Sequence, residues 1–255
     1  MAGVRLTATV AVVVSCLVGS ALAQSIYSGG TLQGLMTYYG SSGANGHCSY
    51  HMSGAQGLPW GQNVNFVAIN SGQYQNSATC GMCIQYQGTG SGAGANPVPS
   101  TPQTAMVVNE CPTCQDVHGI DLALDGDGAW GIVWTPVPCP GVGSSPFQYS
   151  CQNCNTGFNK ILVANHRVPL ASVAVNGVPL ARSSDNYWMA GEVAYPAQIT
   201  ITSVTGQTVT DTLQPWSNPN GVQQGSVQFP DGGASGRKLM KMGNPVAHVG
   251  KLRVQ

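Results

Sequence analysis

Charged residues are scarce in this chain of 255 residues: Asp, Glu, Lys and Arg make up 7% of it, and their net charge is zero. Between positions 24 and 230 the only basic residues besides histidine are Lys160, Arg167 and Arg182. Binding to nucleic acid needs clustered Lys and Arg, so nucleic acid is excluded as the partner of this region. The abundant Gly, Ser, Thr, Asn and Gln instead favour a neutral polymer that offers hydrogen bonds.

Carboxylates are also missing from a long stretch, because no Asp or Glu occurs between Gln24 and Asn109. Glycoside hydrolysis normally uses two carboxylates, one as proton donor and the other as base or nucleophile. Asp121 is a candidate donor, since its apolar neighbours Ile120 and Leu122 can raise its pKa by desolvation. The segment expected opposite it, 35–40, offers hydroxyl groups and no carboxylate.

The remaining acidic residues of this half lie close to Asp121 in the sequence: Glu110, Asp116, Asp125 and Asp127. The Asp-Gly-Asp-Gly segment at 125–128 is similar to a calcium loop but lacks the other ligands, so it predicts a solvated turn.

Long apolar runs are absent after the N-terminus. Residues 1–23 have one Arg, a short apolar run and an Ala-x-Ala ending, which predict a cleaved secretory signal peptide. No later stretch is long enough to span a membrane, so we expect a secreted, extracellular protein without a membrane partner. Residues 231–255 are basic, show no strand pattern and predict a disordered tail.

Eight cysteines remain once Cys16 leaves with the signal peptide, and six of them form three Cys-x-x-Cys pairs. In an exported protein this pattern favours disulfides over zinc, so we predict no metal. Sequence spacing leaves the pairing open. The eight are Cys48, Cys80, Cys83, Cys111, Cys114, Cys139, Cys151 and Cys154.

Periodicity predicts a mainly β protein in which a Gly- and Pro-rich linker at 141–157 separates two groups of strands. One short helix is predicted, at 66–74. Turn signals at Asn176-Gly177 and Thr205-Gly206, within closely spaced strands, indicate a small β-sandwich. The predicted strands are 82–86, 104–108, 131–137, 160–165, 171–175, 178–182, 198–204, 207–213 and 226–229.

Ten short motifs occur in the order in which they are found in expansins, across residues 26–230. By this resemblance the chain is identified as a microbial expansin-like protein. The motifs are TYYG at 37–40, GHCSY at 46–50, CGMC at 80–83, VVNECPTC at 107–114, IDL at 120–122, IVWTPVPC at 132–139, ILVANHRVPL at 161–170, DNYW at 185–188, ITITSVTGQTV at 199–209 and VQFP at 227–230.

The resemblance implies a six-stranded double-psi β-barrel at 26–140, followed by an immunoglobulin-like, expansin-type carbohydrate-binding β-sandwich at 158–230. It also implies disulfides Cys48–Cys80 and Cys83–Cys139, with the other four cysteines pairing among themselves. Expansins are similar in fold to family 45 endoglucanases but lack the catalytic base. Asp121 takes the position of the acid that expansins require.

The residues expected to contact polysaccharide are Thr37, Tyr39, Asn109, Trp134, Phe158 and Trp188. Asn109 stands where microbial expansins often have Asp. Trp134 fits either the barrel core or the groove floor.

The planar aromatic platform of the family is depleted. Its positions align with Gly157, Phe158 and Asp185, leaving one aromatic, although Tyr187, Trp188 and Trp216 can form another stacking surface. An aromatic residue in a sandwich strand is more often part of the core.

The predicted function is binding and non-hydrolytic loosening of cell-wall polysaccharide, cellulose or a related β-glucan, by a monomer without a cofactor. One alternative is a weak endoglucanase or transglycosylase with Asp121 as acid. Another is a barwin-like binding or defence protein, although barwin-like chains generally stop near the barrel.

Overall fold

The computed structural model describes residues 26–40, 46–50, 64–114, 118–142 and 144–230. The predicted signal peptide at 1–23 and the predicted tail at 231–255 lie outside these ranges. Within the described ranges, no helix has the length and hydrophobicity required to cross a bilayer.

Six strands of the first domain close into a barrel. Fully buried side chains such as Met36, Ile84, Ile132 and Trp134 fill its interior, and they alternate with outward-facing residues as expected for strands. The strands are β1 (Leu32–Tyr38), β2 (Asn65–Asn70), β3 (Cys83–Ala93), β4 (Gln103–Cys111), β5 (Ile120–Leu122) and β6 (Ala129–Val137), joined in the order β1-β5-β2-β4-β3-β6. The β1–β5 and β2–β4 pairs are parallel and the others are antiparallel.

The predicted helix at 66–74 is wrong for most of its length. Residues 65–70 form β2, whose Val67, Ala68 and Ile69 are all buried and therefore show no alternation. Periodicity alone cannot distinguish such a short apolar run from a helix segment. The helix, α1, covers only Ser71–Tyr74, and the Asn70 side chain caps it.

The second domain has two sheets, as expected for a β-sandwich. One sheet has the order β10-β9-β13-β14 and the other β11-β12-β8-β7-β15. The strands are β7 (Gln148–Cys151), β8 (Asn159–Ala164), β9 (Leu170–Val175), β10 (Val178–Pro179), β11 (Ala181–Arg182), β12 (Trp188–Ala190), β13 (Ala197–Ser203), β14 (Thr208–Leu213) and β15 (Val222–Gln224). Asn176 and Gly177 form the predicted two-residue turn, both with positive φ.

Three predictions in this domain need correction. The strand predicted at 178–182 is divided into β10 and β11, which belong to different sheets. Residues 148–151 of the predicted linker form β7, which pairs with β8 and β15. The strand predicted at 226–229 is absent. Val227 and Phe229 contribute to the hydrophobic core without forming a strand, and the strand that pairs with β7 is at 222–224.

Four disulfides are present. Cys48–Cys80 and Cys83–Cys139 confirm the pairs implied by the resemblance. The other four cysteines close two short loops, Cys111–Cys114 and Cys151–Cys154.

Hydrogen bonds made by side chains join the two domains. The Tyr50 hydroxyl lies 2.9 Å from His166 Nε2, and Asn186 Nδ2 donates to the Cys48 carbonyl at 2.9 Å. A Cβ at Gly81 would collide with His166 and with the Tyr50 hydroxyl, so only glycine fits here. Burial lowers the pKa of His166 to about 3. His166 is therefore neutral at ordinary pH, which fits a structural role.

Candidate functional site

The register of the barrel places four residues in one row across its strands. Thr37 of β1 is opposite Asp121 of β5, Asp121 is opposite Ala68 of β2, and Ala68 is opposite Asn109 of β4. We call Thr37, Asp121, Ala68 and Asn109 the polar row. Because Ala68 has a small side chain and is 2% exposed, it forms a depression in the row between the larger side chains of Asp121 and Asn109.

A β-bulge sets the position of Asn109 in this row. Val67 pairs with Val107, but the next residue, Ala68, pairs with Asn109, so Val108 is the additional residue in β4. A bulge of this kind changes the direction of the following side chains. Without it, the buried Val108 rather than Asn109 would be opposite Ala68.

Thr37 and Asp121 form a hydrogen-bonded pair, with Thr37 Oγ1 donating to Asp121 Oδ1 at 2.8 Å. Burial raises the pKa of Asp121 and this hydrogen bond lowers it, with a net shift above the ordinary value. Sequence reasoning predicted the direction from the flanking residues, and the shift agrees. A carboxyl group in this condition can accept or donate a proton more readily near neutral pH than an exposed Asp can.

Tyr39 lies beside the polar row. Its hydroxyl is buried and makes no hydrogen bond of normal geometry. Burial raises the pKa of Tyr39, nearby Asn109 lowers it, and the charge of Asp121 raises it further. The phenol is therefore close to both polar residues and retains hydrogen-bonding capacity.

The short segment at 46–50 packs against the end of the row formed by Asn109. Asn109 Oδ1 accepts hydrogen bonds from the backbone amides of His47, at 2.8 Å, and Glu110, at 2.9 Å. A Cβ at Gly46 would collide with the Val108 carbonyl, so glycine permits this close approach. The Asn109 oxygen is thus fixed by the backbone, and its amide group remains near Tyr39.

Three other carboxylates of the barrel, those of Glu110, Asp125 and Asp127, lie within the described residues. Glu110 Oε2 lies 3.3 Å from His47 Nδ1. Asp127 Oδ2 accepts from the Ala95 amide at 3.3 Å, and Asp125 lies near Gly40. The prediction of a turn at 125–128 agrees with these contacts. Asp116 is outside the described residues.

Two residues predicted to contact polysaccharide are core residues instead. Trp134 is fully buried, and its indole nitrogen donates to the His118 carbonyl at 3.2 Å. Trp188 is 3% exposed, and the Arg182 guanidinium lies 5.0 Å from its ring centre. Neither ring can stack on a sugar at the surface.

The aromatic residues of the second domain are dispersed. Phe158 is 39% exposed at the turn before β8, whereas Tyr187 is fully buried. Trp216 is half-buried and donates to the Tyr195 hydroxyl at 2.7 Å. Asp185, at an aligned platform position, accepts from Lys160 at 2.7 Å. Of the aromatic residues of this domain singled out from the sequence, Phe158 is the one that is exposed.

No protein-family model matches the chain. "Expansin-like protein 5" of Dictyostelium discoideum is 23% identical over 206 residues, which cover 73% of this chain and 81% of that protein.

Two crystal structures of the Clavibacter michiganensis expansin superpose on 78% of this chain and 98% of their own length. The mutant in complex with cellohexaose has a TM-score of 0.63 at 21% identity, and the apo protein has 0.61 at 20%. The present chain therefore has the fold of an expansin. The resemblance inferred from the motifs is confirmed, including the double-psi barrel and the following sandwich.

Three features of this expansin fold had little signal in the sequence. Ala68 carries no chemical group that would mark it as part of a site. The bulge at Val108 depends on pairing between strands that are distant in sequence. The close approach of Gly46 to β4 could be suspected only from the glycine itself.

Proposed function

We propose that the polar row binds a cell-wall polysaccharide, cellulose or a related β-glucan, and loosens contacts between glucan chains without hydrolysis. The observation that carries this proposal is the hydrogen-bonded pair of Thr37 and Asp121 beside the small residue Ala68. Because the Thr37 hydroxyl donates to Asp121, the pair offers acceptors to sugar hydroxyls: the Thr37 oxygen and the second carboxylate oxygen of Asp121. The likeness to expansin-like proteins and the cellohexaose complex of the Clavibacter expansin support the same choice of ligand.

Loosening would follow from competition between hydrogen bonds. Neighbouring glucan chains are held together by many weak contacts, and each hydrogen bond contributes about 0.5–1.5 kcal/mol net. A glucan seated over Ala68 would exchange some of these for bonds to Thr37, Tyr39 and Asp121. No covalent step and no cofactor are required.

The distribution of carboxylates argues against hydrolysis. An inverting enzyme needs a second carboxyl group about 6.5–9.5 Å from the first. The segments 41–45 and 51–63 contain no Asp or Glu, so whatever their conformation they cannot supply it. Without a general base the rate falls by about 10²–10⁴-fold. Asp116 is the acidic residue of this region whose position the structure does not describe.

A second function has one observation in its favour. The raised pKa of Asp121 suits a proton donor, as in a weak endoglucanase or transglycosylase. We therefore pair every binding experiment with product analysis, as set out in the Discussion.

The second domain would hold the protein on the polymer. Phe158 is the exposed ring most suited to stacking on a sugar face. The protein would act outside the cell, as residues 1–23 predict, and as a monomer. A barwin-like protein would need only the barrel, and the presence of the second domain argues against that role.

A polysaccharide pull-down tests the proposal. The full chain is mixed with cellulose, xylan, chitin and mixed-linkage glucan, and bound protein is measured as a function of concentration. We expect binding to cellulose or mixed-linkage glucan, and about tenfold weaker binding for Asp121→Asn, because a hydrogen bond to a charged group is lost. Glu192→Gln, which removes an exposed carboxylate of the second domain, is the matched control. Equal binding by wild type and Asp121→Asn would contradict the proposal.

A further inference from the structure

The Cys111–Cys114 disulfide lies directly beside the polar row. Among the described residues, one group of three His, Cys, Asp or Glu side chains brings its ligand atoms within 4.8 Å of one another: the sulfurs of Cys111 and Cys114 and a carboxylate oxygen of Asp121. Cys111 Sγ is 3.9 Å from Asp121 Oδ2. Thr37 donates its hydrogen bond to Oδ1 of Asp121. Oδ2, which is near the Cys111 sulfur, is therefore not used by Thr37.

This disulfide is also the most accessible of the four. Cys114 is the one cysteine among the eight that is not buried. Reduction requires attack by a thiolate on a sulfur atom, so access controls its rate. The bond spans a sequence separation of 3, compared with 32 and 56 for the two barrel disulfides. A shorter loop contributes less to stability, so the fold can tolerate loss of this bond better than loss of either of those two.

We propose that reduction of Cys111–Cys114 opens a binding site for a thiophilic divalent cation such as Zn²⁺, held by both thiolates and Asp121. Cys-x-x-Cys is a usual spacing for zinc ligands, and three protein ligands leave a fourth position open. The hydrogen bond from Thr37 would orient the carboxylate, as partners of metal ligands commonly do. The prediction of no metal from the sequence concerned the disulfide-bonded chain, and this site exists only after reduction.

The chemistry balances with a thiol as reductant. Two molecules of a low-molecular-weight thiol reduce the protein disulfide to two cysteine thiols and are themselves oxidised to one disulfide. Binding of the cation then displaces the two thiol protons to solvent. The site would occupy Asp121 and so compete with polysaccharide in the polar row. This competition rests on the proposed function, whereas the metal site does not.

The chain contains its own matched control, since Cys151–Cys154 has the same spacing. Cys154 Sγ contacts the backbone of Lys160, and among the residues that the structure describes no carboxylate completes a three-ligand group there. Cys151 and Cys154 are both buried. A comparison of Cys111–Cys114 with Cys151–Cys154 therefore separates the effect of Cys-x-x-Cys spacing from the effects of an adjacent carboxylate and of solvent access.

The test uses the full chain, reduced mildly with a phosphine, desalted without oxygen and titrated with Cd²⁺ alone. We expect two titratable thiols in the folded protein, one Cd²⁺ per chain and the ultraviolet absorption of a cadmium thiolate. The double variant Cys111→Ser with Cys114→Ser should lose all three signals, and Cys151→Ser with Cys154→Ser should keep them. Asp121→Asn should keep the thiols and bind Cd²⁺ at least about tenfold more weakly.

Any of three results would overturn the inference. The thiols could become titratable only when the chain unfolds, the oxidised chain could bind Cd²⁺ equally well, or Asp121→Asn could retain full affinity. Polysaccharide takes no part in these measurements, so a failure here is distinct from a failure of the proposed function.

Discussion

Asp211 in the second domain is buried and Asp121 in the barrel is half-buried, and their oxygens are used differently. Asp211 is 7% exposed and accepts four hydrogen bonds. Tyr149 and the Ser226 amide donate to Oδ2 at 2.9 and 2.8 Å, and the Ser226 hydroxyl and Thr212 amide donate to Oδ1 at 2.6 and 2.8 Å. An ionised carboxylate has about four acceptor positions, so Asp211 has no capacity left.

Asp121 has one hydrogen-bond donor among the described residues, Thr37. Its second close neighbour, Cys111 Sγ, is in a disulfide and has no proton to donate. The consequences appear in the pKa values. Burial is the largest influence at both residues, but the hydrogen bonds at Asp211 outweigh it and lower its pKa, whereas burial prevails at Asp121 and raises its pKa. Asp211 stabilises the fold, and Asp121 retains capacity for a ligand.

The largest effect expected from this comparison is on stability. Asp211→Asn replaces an acceptor by an amide group that faces donors, so we expect a loss of about 3 kcal/mol in the free energy of unfolding. Asp121→Asn should change it by less than about 0.5 kcal/mol. Denaturant unfolding of both variants measures the difference. Similar losses in the free energy of unfolding of the two variants would contradict the different roles assigned to Asp211 and Asp121.

Loss of the partner of Asp121 should have a smaller effect. Thr37→Val keeps the shape of the side chain and removes the hydroxyl donor, at a cost of about 1 kcal/mol in stability. Because the hydrogen bond lowers the pKa of Asp121, its removal should raise that pKa further. Carboxyl titration followed by NMR measures this directly. A fall in the pKa would show that Thr37 does not stabilise the ionised form.

The two residues should also contribute to pH dependence with opposite signs. The lowered pKa of Asp211 means that its contribution to stability is complete above the ordinary value of 3.8 and is lost as the pH falls through the folded-state pKa. The raised pKa of Asp121 means that its contribution is present below 3.8 and is lost as the pH rises through the folded-state pKa.

The free energy of unfolding, measured from about pH 2 to about pH 7, should therefore show two trends. The deficit of Asp211→Asn relative to wild type should shrink in acid, and Asp121→Asn should equal or slightly exceed wild type near neutral pH. The same trend in both variants would contradict the assignment of roles.

The smallest effect on stability is expected at the surface of the second domain. Phe158→Ala removes a ring that is 39% exposed and should change the free energy of unfolding by less than about 0.5 kcal/mol. We expect the Phe158→Ala variant to bind cellulose more weakly than wild type. Val222→Ala, at a side chain that is 42% exposed, is the control and should bind like wild type. Equal binding by both variants would remove Phe158 from the proposed surface.

Local sequence patterns predicted most strands, and the family motifs predicted two of the disulfides and the barrel. They could not predict what depends on pairing between distant strands. The row from Thr37 to Asn109 and the bulge at Val108 result from closure of the barrel. Burial of Trp134 and Trp188 likewise depends on which face of a strand turns inward, and an aromatic residue is compatible with either face.

The central claim is that Asp121 acts without a catalytic base, and product analysis tests it most directly. Wild type, Asp121→Asn and Asp116→Asn are incubated with the polysaccharide that binds best, and reducing ends and soluble oligosaccharides are measured over time. We predict that all three remain at the background of a sample without protein, while weakening of the polymer requires Asp121. Sustained release of oligosaccharides by wild type that is lost in Asp121→Asn would contradict the account, and loss in Asp116→Asn as well would identify the missing base.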